Sequence, residues 1–292
     1  MTMASIAVEL RNACFHVRNV LLPGHGTRAA DLLSVEHRDW TATINLAITT
    51  FPKDVTEVWA VGFSLGGALA LQAAALQSRV SGVIVFAPAL KVGLPLLTQQ
   101  STWLARWWVW ADRDPRQSIG RYDSMPTNGI AQTVRLAKTI SQMLCERNIT
   151  TPVLMVLSTH DRTINSNHSR RLFQRCLRAQ HNQLVTFGTS RTPSTDPRQR
   201  LINAQQIEAR IAHIGHRAMH ISPNHPQLGA IATNGCEVHE TCKHSRWRGE
   251  PIGLRFVLRR MERLTYNPHW SDLVKIMRAF IEKSSKSEGH RL

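Results

Sequence analysis

Apolar and polar positions follow two rhythms along this chain. Continuous apolar runs bounded by turn residues predict strands buried on both faces: Val58 to Val61, Gly82 to Ala87, Val153 to Leu157 and the shorter Leu184 to Phe187. Phe15 to Leu22 reads as an earlier strand that ends at the turn Pro23-Gly24-His25-Gly26-Thr27, and Ala209 to Ile214 as a last short one. Between these runs the apolar residues fall at helical spacing. Ile6, Ala7, Leu10 and Ala13 predict a first helix, and the stretch from Asp31 through Trp40 and Ile44 to Phe51 a loop and helix. Near the end Leu273, Val274, Ile276, Met277, Phe280 and Ile281 form one apolar face, with Ser271 as N-cap and Asp272 in the first turn. Strand and helix in alternation predict an α/β fold with a mainly parallel sheet and helices on both faces. From Lys91 to Asn148 the rhythm breaks, which predicts a cap inserted at about residues 91–150 into a single domain of residues 1–292.

One junction in this pattern carries chemistry. The run ending at Val61 passes at once into Gly62-Phe63-Ser64-Leu65-Gly66-Gly67 and then into Ala and Leu at helical spacing. Gly-x-Ser-x-Gly between a strand and a helix is the layout of a nucleophile elbow, a strained turn that lifts the serine hydroxyl clear of the sheet. Its neighbours must be small, and Gly62 and Gly66 meet that demand. The N-terminus of the following helix offers N–H groups to a developing negative charge. Ser64 is therefore the candidate nucleophile. Asp161 lies just past the strand Val153 to Ser158, at the sheet edge where ligand and catalytic groups gather; a turn or N-cap role accounts for an Asp there equally well. A general base is also needed, after the serine and the acid in chain order. His216 comes first after the run 209–214, and on spacing alone His213, His220 and His225 compete with it.

Composition changes this picture little. Lys and Arg number 36 against 20 Asp and Glu, a formal charge of +16, so nucleic acid or an anionic membrane surface could be a partner. The basic residues are spread along the chain and form no helix-turn-helix or zinc-finger pattern, so a solvated basic surface is the expectation and no specific nucleic-acid partner. The five cysteines are odd in number and scattered, which indicates no disulfide framework. Cys236, Cys242, His239 and His244 match no standard zinc spacing and read as loop residues. Trp103, Trp107, Trp108 and Trp110 lie in the cap, where they could line an acyl site or touch a lipid surface, or pack the cap onto the body. No signal peptide or apolar run of membrane-spanning length occurs, and a cytoplasmic location is expected.

With these residues placed, the chain resembles the α/β-hydrolase superfamily, specifically bacterial carboxylesterases and lysophospholipase-like enzymes of the serine aminopeptidase S33 type. The likeness runs from near Ile6 to near Phe280. It rests on Leu22-Pro23-Gly24-His25-Gly26-Thr27, the elbow from Gly62 to Gly67, Tyr122-Asp123-Ser124-Met125-Pro126, Asp161, and Arg263-Leu264-Thr265-Tyr266-Asn267-Pro268. Its most specific piece is the histidine loop, where the family pattern Ser-Pro-x-x-Pro-x-x-Gly corresponds to Ser222 to Gly229 and selects His216. The resemblance implies an α/β-hydrolase fold and a triad of Ser64, Asp161 and His216. It implies a small-molecule or lipid ester substrate hydrolysed through an acyl-enzyme, with no metal or organic cofactor. The family's opening strands, one ending in a His-Gly loop that completes the oxyanion hole, have no counterpart here; only the Leu65 N–H is assignable to the hole. The absent strand belongs between the Phe15 to Leu22 strand and the elbow strand, so the expectation is an N-terminally shortened hydrolase with impaired catalysis. The reading from a different class is an inactive basic protein that binds nucleic acid or anionic lipid.

Overall fold

The computed structural model describes residues 3–93, 108–112, 124–189, 194–230, 247–249 and 261–288. In chain order the helices are α1 (Ala4–Asn12), α2 (His37–Thr49), α3 (Leu65–Leu76), α4 (Thr127–Glu146), α5 (Ser166–Cys176) and α6 (Trp270–Glu288), with a 3₁₀ turn at Ala29–Leu33. The strands are β1 (Val58–Phe63), β2 (Val80–Phe86), β3 (Trp110–Asp112), β4 (Met125–Pro126), β5 (Val153–Ser158), β6 (Gln183–Gly188), β7 (Gln199–Asn203), β8 (Trp247–Gly249) and β9 (Met261–Arg263). This is an α/β fold whose larger strands pair parallel. The chain divides into two compact units: Arg18–Val153 with Thr163–Ala179, and Thr2–Val17 with Leu154–Arg162 and Gln180–Leu292.

In the first unit β1 and β2 run parallel, Trp59 opposite Gly82 through Phe63 opposite Phe86. The next backbone neighbour of β2 is the approach to β5, where the Val83 N–H donates to the Pro152 carbonyl at 2.8 Å. Val83 to Phe86 are fully buried, as continuous apolar strands in parallel sheets are. α3 buries Ala68, Leu69 and Leu71, and α4 buries Leu136, Ile140 and Leu144 at intervals of four. The predicted strand at Phe15 to Leu22 does not form. Phe15, Val20 and Leu21 are exposed, and instead of a backbone ladder the Arg18 guanidinium holds the segment, donating to the carbonyls of Ala47 and Thr50 at the end of α2 and lying over the Phe51 ring. Those C-terminal carbonyls lack intrahelical donors, and a cation there also complements the helix dipole.

In the second unit β5, β6 and β7 form a parallel ladder. β7 begins at the end of residues 190–200, a stretch rich in Pro, Ser, Thr and Arg, and pairs with β6 from Gln199 opposite Leu184 to Asn203 opposite Gly188. Ala209 to Ile214 forms no strand: Ile211 makes single bridges to Gln206 and Arg248, because Arg210 sits at a φ of 49° that a strand cannot continue through. α6 starts one residue earlier than its expected cap. Ser271 is already helical, and the Asn267 side chain accepts the His269 N–H just before the helix. Leu273, Met277, Phe280 and Ile281 are its buried face, as their spacing predicts. α1 joins this unit through the Trp270 indole N–H, which donates to Glu9.

The absence of a disulfide framework is also corrected. Cys145 at the end of α4 is bonded to Cys176 at the end of α5, both in the first unit. Their separation of 31 residues hides the pairing in the sequence, and only the packing of the two helices brings the sulfurs together. Cys236, Cys242, His239 and His244 lie outside the described residues, as do Trp103, Trp107, Tyr122 and Asp123. Among the described residues no helix is long and apolar enough to cross a membrane.

Candidate active site

In the first unit the elbow is built by sterics. β1 delivers the chain to Ser64, which adopts φ 53° and ψ −115°, backbone that side-chain-bearing residues rarely occupy. Three backbone bonds hold it there. The Ser64 N–H donates to the Phe86 carbonyl at the end of β2, and its carbonyl accepts from Ala68 and Ala89. The turn is so tight that a Cβ on Gly62 would come within 2.2 Å of the Gly66 carbonyl oxygen. A Cβ on Gly66 itself would meet nothing within 4 Å, so its smallness is not demanded by packing; what Gly62 must clear is the Gly66 backbone. Leu65 opens α3, and its N–H is among those at a helix start that have no intrahelical acceptor. The turn 23–27 lies in the same unit, with Gly24 and Gly26 at φ 76° and 75° and the Trp40 indole N–H donating to the Pro23 carbonyl.

In the second unit the acid and one histidine meet. His216 Nδ1 lies 2.6 Å from Asp161 Oδ2 although the residues are 55 apart in sequence. Both side chains are buried, the carboxylate completely. A bond from Nδ1 to a carboxylate leaves Nε2 as the nitrogen able to take a proton. The other histidines have other places. His213 stacks on His160 with ring centroids 4.4 Å apart, and His220 is buried. His225 Nδ1 accepts the N–H groups of Gln227 and Leu228, which makes it the organiser of its own turn. Burial, then the charges of His213 and Arg162, hold His160 below the ordinary imidazole value.

Buried polar side chains to which the sequence assigned no role fix the loops carrying this pair. Ser158, the last residue of β5, donates to the Ile214 carbonyl and accepts the His160 N–H, tying the acid loop to the histidine loop from both sides. The Ser5 hydroxyl of α1 accepts the Ser222 N–H. Asn267 donates through its side chain to the Met219 carbonyl at 2.8 Å and through its backbone to Ile221. The Ser222 to Gly229 turn closes on itself, because Gly229 and Ala230 donate to the His225 and Pro223 carbonyls. A Cβ on Gly229 would come within 2.2 Å of the Pro223 oxygen, which is the physical reason for glycine there. Serine and asparagine identities carry no local signal of such long-range bonds. Among the described residues no cluster of His, Cys, Asp and Glu is placed to hold a metal ion.

The model of the Alpha/beta hydrolase family matches residues 2–224. No curated protein matches the sequence. Among solved structures, one described under "LipS and LipT, two metagenome-derived lipolytic enzymes" is 22% identical and superposes with a TM-score of 0.56, covering 63% of this chain and 77% of that one. That likeness speaks to the fold. The monoacylglycerol lipase of Paleococcus ferrophilus is 18% identical over 56% of this chain and 70% of its own, with a TM-score of 0.46. A soluble variant of the monoglyceride lipase of Saccharomyces cerevisiae is 13% identical over 62% of this chain and 66% of its own, with a TM-score of 0.43.

Proposed function

The chain belongs to the Alpha/beta hydrolase family, and from that premise we propose that it is a serine hydrolase of carboxylic esters, of the carboxylesterase or lysophospholipase type, working through Ser64, His216 and Asp161. What supports the reading is that the chain holds both a serine strained into a left-handed elbow and a buried Asp–His pair bonded through His216 Nδ1. Lipolytic enzymes among the structures of similar fold agree with an ester substrate. In this mechanism His216 Nε2 takes the Ser64 proton as the hydroxyl oxygen attacks the ester carbonyl carbon. The tetrahedral oxyanion is stabilised by the Leu65 N–H at the start of α3. His216 then gives the proton to the leaving alcohol, and a water deprotonated by the same nitrogen releases the acid and restores Ser64. Asp161 fixes the imidazole tautomer and stabilises the imidazolium. The exposed Trp108 extends the reading to substrates presented at a lipid surface.

The test is hydrolysis of p-nitrophenyl butyrate by the purified chain and by Ser64→Ala. Removing the nucleophile should lower kcat by about 10⁴ to 10⁶ with the unfolding transition unchanged. Equal turnover by both proteins would overturn the proposal.

A further inference from the structure

The first unit contains a cavity of about 620 Å³ that none of Ser64, Asp161 and His216 lines. Its volume falls within the roughly 300–1,000 Å³ of small-molecule sites. The floor is aliphatic: Leu90 and Ala137 are buried, Leu172 of α5 nearly so, and Val134 half so. The rim carries two exposed cations, Lys91 and Lys138 of α4. Neither ammonium has an ion pair among the described residues. The acid that also lines the cavity, Glu146, is eight residues beyond Lys138 on the same helix, about 12 Å along its axis and out of pairing range. His168, in the first turn of α5, faces the same space, and burial followed by the charges of Lys91 and Arg171 holds it below the ordinary imidazole value. Among the described residues the lining therefore carries a net positive charge, two lysines against one glutamate.

The walls are fixed from several sides. The Lys91 carbonyl accepts the Asn165 N–H, Gly93 donates to Thr163, and the Asn165 side chain caps α5 at His168. The Ser141 hydroxyl is spent within the wall on the Leu90 carbonyl. Cys145 lines the far end and is bonded to Cys176, so α4 and α5 are joined covalently there. An aliphatic floor under a positive rim complements one chemistry, a chain with a single anionic head. A neutral chain would leave both ammonium groups without a counter-charge, and a polar anion would leave the floor uncovered.

We propose that this cavity binds an aliphatic monocarboxylate, its head on Lys91 and Lys138 and its chain on Leu90, Val134, Ala137 and Leu172. None of Ser64, Asp161 and His216 lines it, and the proposal does not depend on the reading of them. The probe is dodecanoate, titrated calorimetrically below its micelle concentration into the full chain carrying Ser64→Ala, so that ester turnover plays no part. Binding should be saturable, weaken with added salt, and exceed that of dodecan-1-ol by at least about ten-fold, as expected for hydrogen bonds to charged groups. Lys91→Glu with Lys138→Glu should lose dodecanoate binding by at least the same factor while unfolding at the same temperature, because both side chains are exposed. Val134→Trp should remove binding of both probes by filling the floor. Dodecanoate binding that survives the double charge reversal, or that dodecan-1-ol equals, would overturn the proposal, whatever Val134→Trp does to folding.

Discussion

The elbow of the first unit and the Asp–His pair of the second are held by opposite means. Around Ser64 the constraint is almost all backbone and reaches no further than Ala89: a left-handed serine, three main-chain bonds, and a glycine whose missing Cβ leaves room for the next turn. Around His216 the constraint is long in sequence and made by buried polar side chains: Asp161 is 55 residues away, Ser158 56 from Ile214, Asn267 48 from Met219 and Ser5 217 from Ser222. Steric constraints of the first kind tolerate almost no added atom but are insensitive to pH. Polar constraints of the second kind can lose a member without a clash, at the cost of an unsatisfied partner. The elbow and the Asp–His pair should therefore fail differently.

The largest effect is expected from the polar half and on activity alone. Asp161→Asn keeps the volume but presents an amide to His216 Nδ1, which favours the tautomer with the proton on Nε2 and disables the base. In the proposed mechanism kcat for p-nitrophenyl butyrate should fall by about 10⁴, with little change in urea midpoint. A decrease of less than ten-fold would remove Asp161 from the chemistry. Gly62→Ala is the counterpart in the steric half. Its Cβ meets the Gly66 carbonyl at 2.2 Å, and backbone cannot swing aside as a side-chain tip can. Stability should drop by about 3 kcal/mol, the upper end of overpacking costs, together with turnover. A folded, fully active Gly62→Ala chain would show that the elbow is not sterically locked.

The same division decides what was legible in the sequence. β5 was readable residue for residue from Val153 to Ser158, because a strand buried on both faces must be apolar throughout. The elbow was readable because its constraint is written two residues from the serine, at Gly62. The strand expected at Phe15 to Leu22 was not there, since an apolar run specifies a strand only if a neighbour completes its ladder, and here Arg18 fastens the segment instead. α5 gave no periodic signal: in SNHSRRLFQRC only Leu172 and Phe173 are large and buried, and the helix is held by the Asn165 cap and its packing. His216 could be chosen among its neighbours only through the pattern Ser222 to Gly229; of the residues that pin its loop, Asn267 was marked only as part of the stretch Arg263 to Pro268, and the bonds of Ser158 and Ser5 had no local mark. The disulfide between Cys145 and Cys176 was missed for the same reason of separation.

A milder break of the polar half comes from Ser158. Ser158→Ala removes the donor to the Ile214 carbonyl and the acceptor of the His160 N–H at a fully buried position. The cost should be about 1–3 kcal/mol, the penalty for buried polar groups left without partners, and the His216 loop should lose hydrogen-exchange protection before the rest of the second unit does. A change below about 0.5 kcal/mol would mean that another group takes over both bonds.

The smallest effect distinguishes the halves by pH. His160 and His225 in the second unit and His168 in the first all sit below the ordinary imidazole value, each mainly because burial opposes the charged form. A histidine with a lowered folded pKa binds fewer protons than the same residue in the unfolded chain, so stability rises with pH across the interval between the two values. Its contribution is complete above the unfolded value of about 6.5 and is lost as pH falls through the folded value. Tm should therefore decline between pH 7 and pH 5, modestly, since all three rings remain partly in contact with water. His225 makes the second unit the more sensitive one: protonating Nδ1 removes the acceptor of the Gln227 and Leu228 N–H groups and opens the turn that follows His216. Hydrogen exchange followed from pH 7 to pH 5 should register this as earlier loss of protection at residues 222–229 than along β1 and α3, and His225→Asn should flatten part of the Tm slope. A Tm that holds level or rises on acidification would contradict the lowered values, and simultaneous loss of protection at the turn and the elbow would erase the contrast between a polar and a steric half.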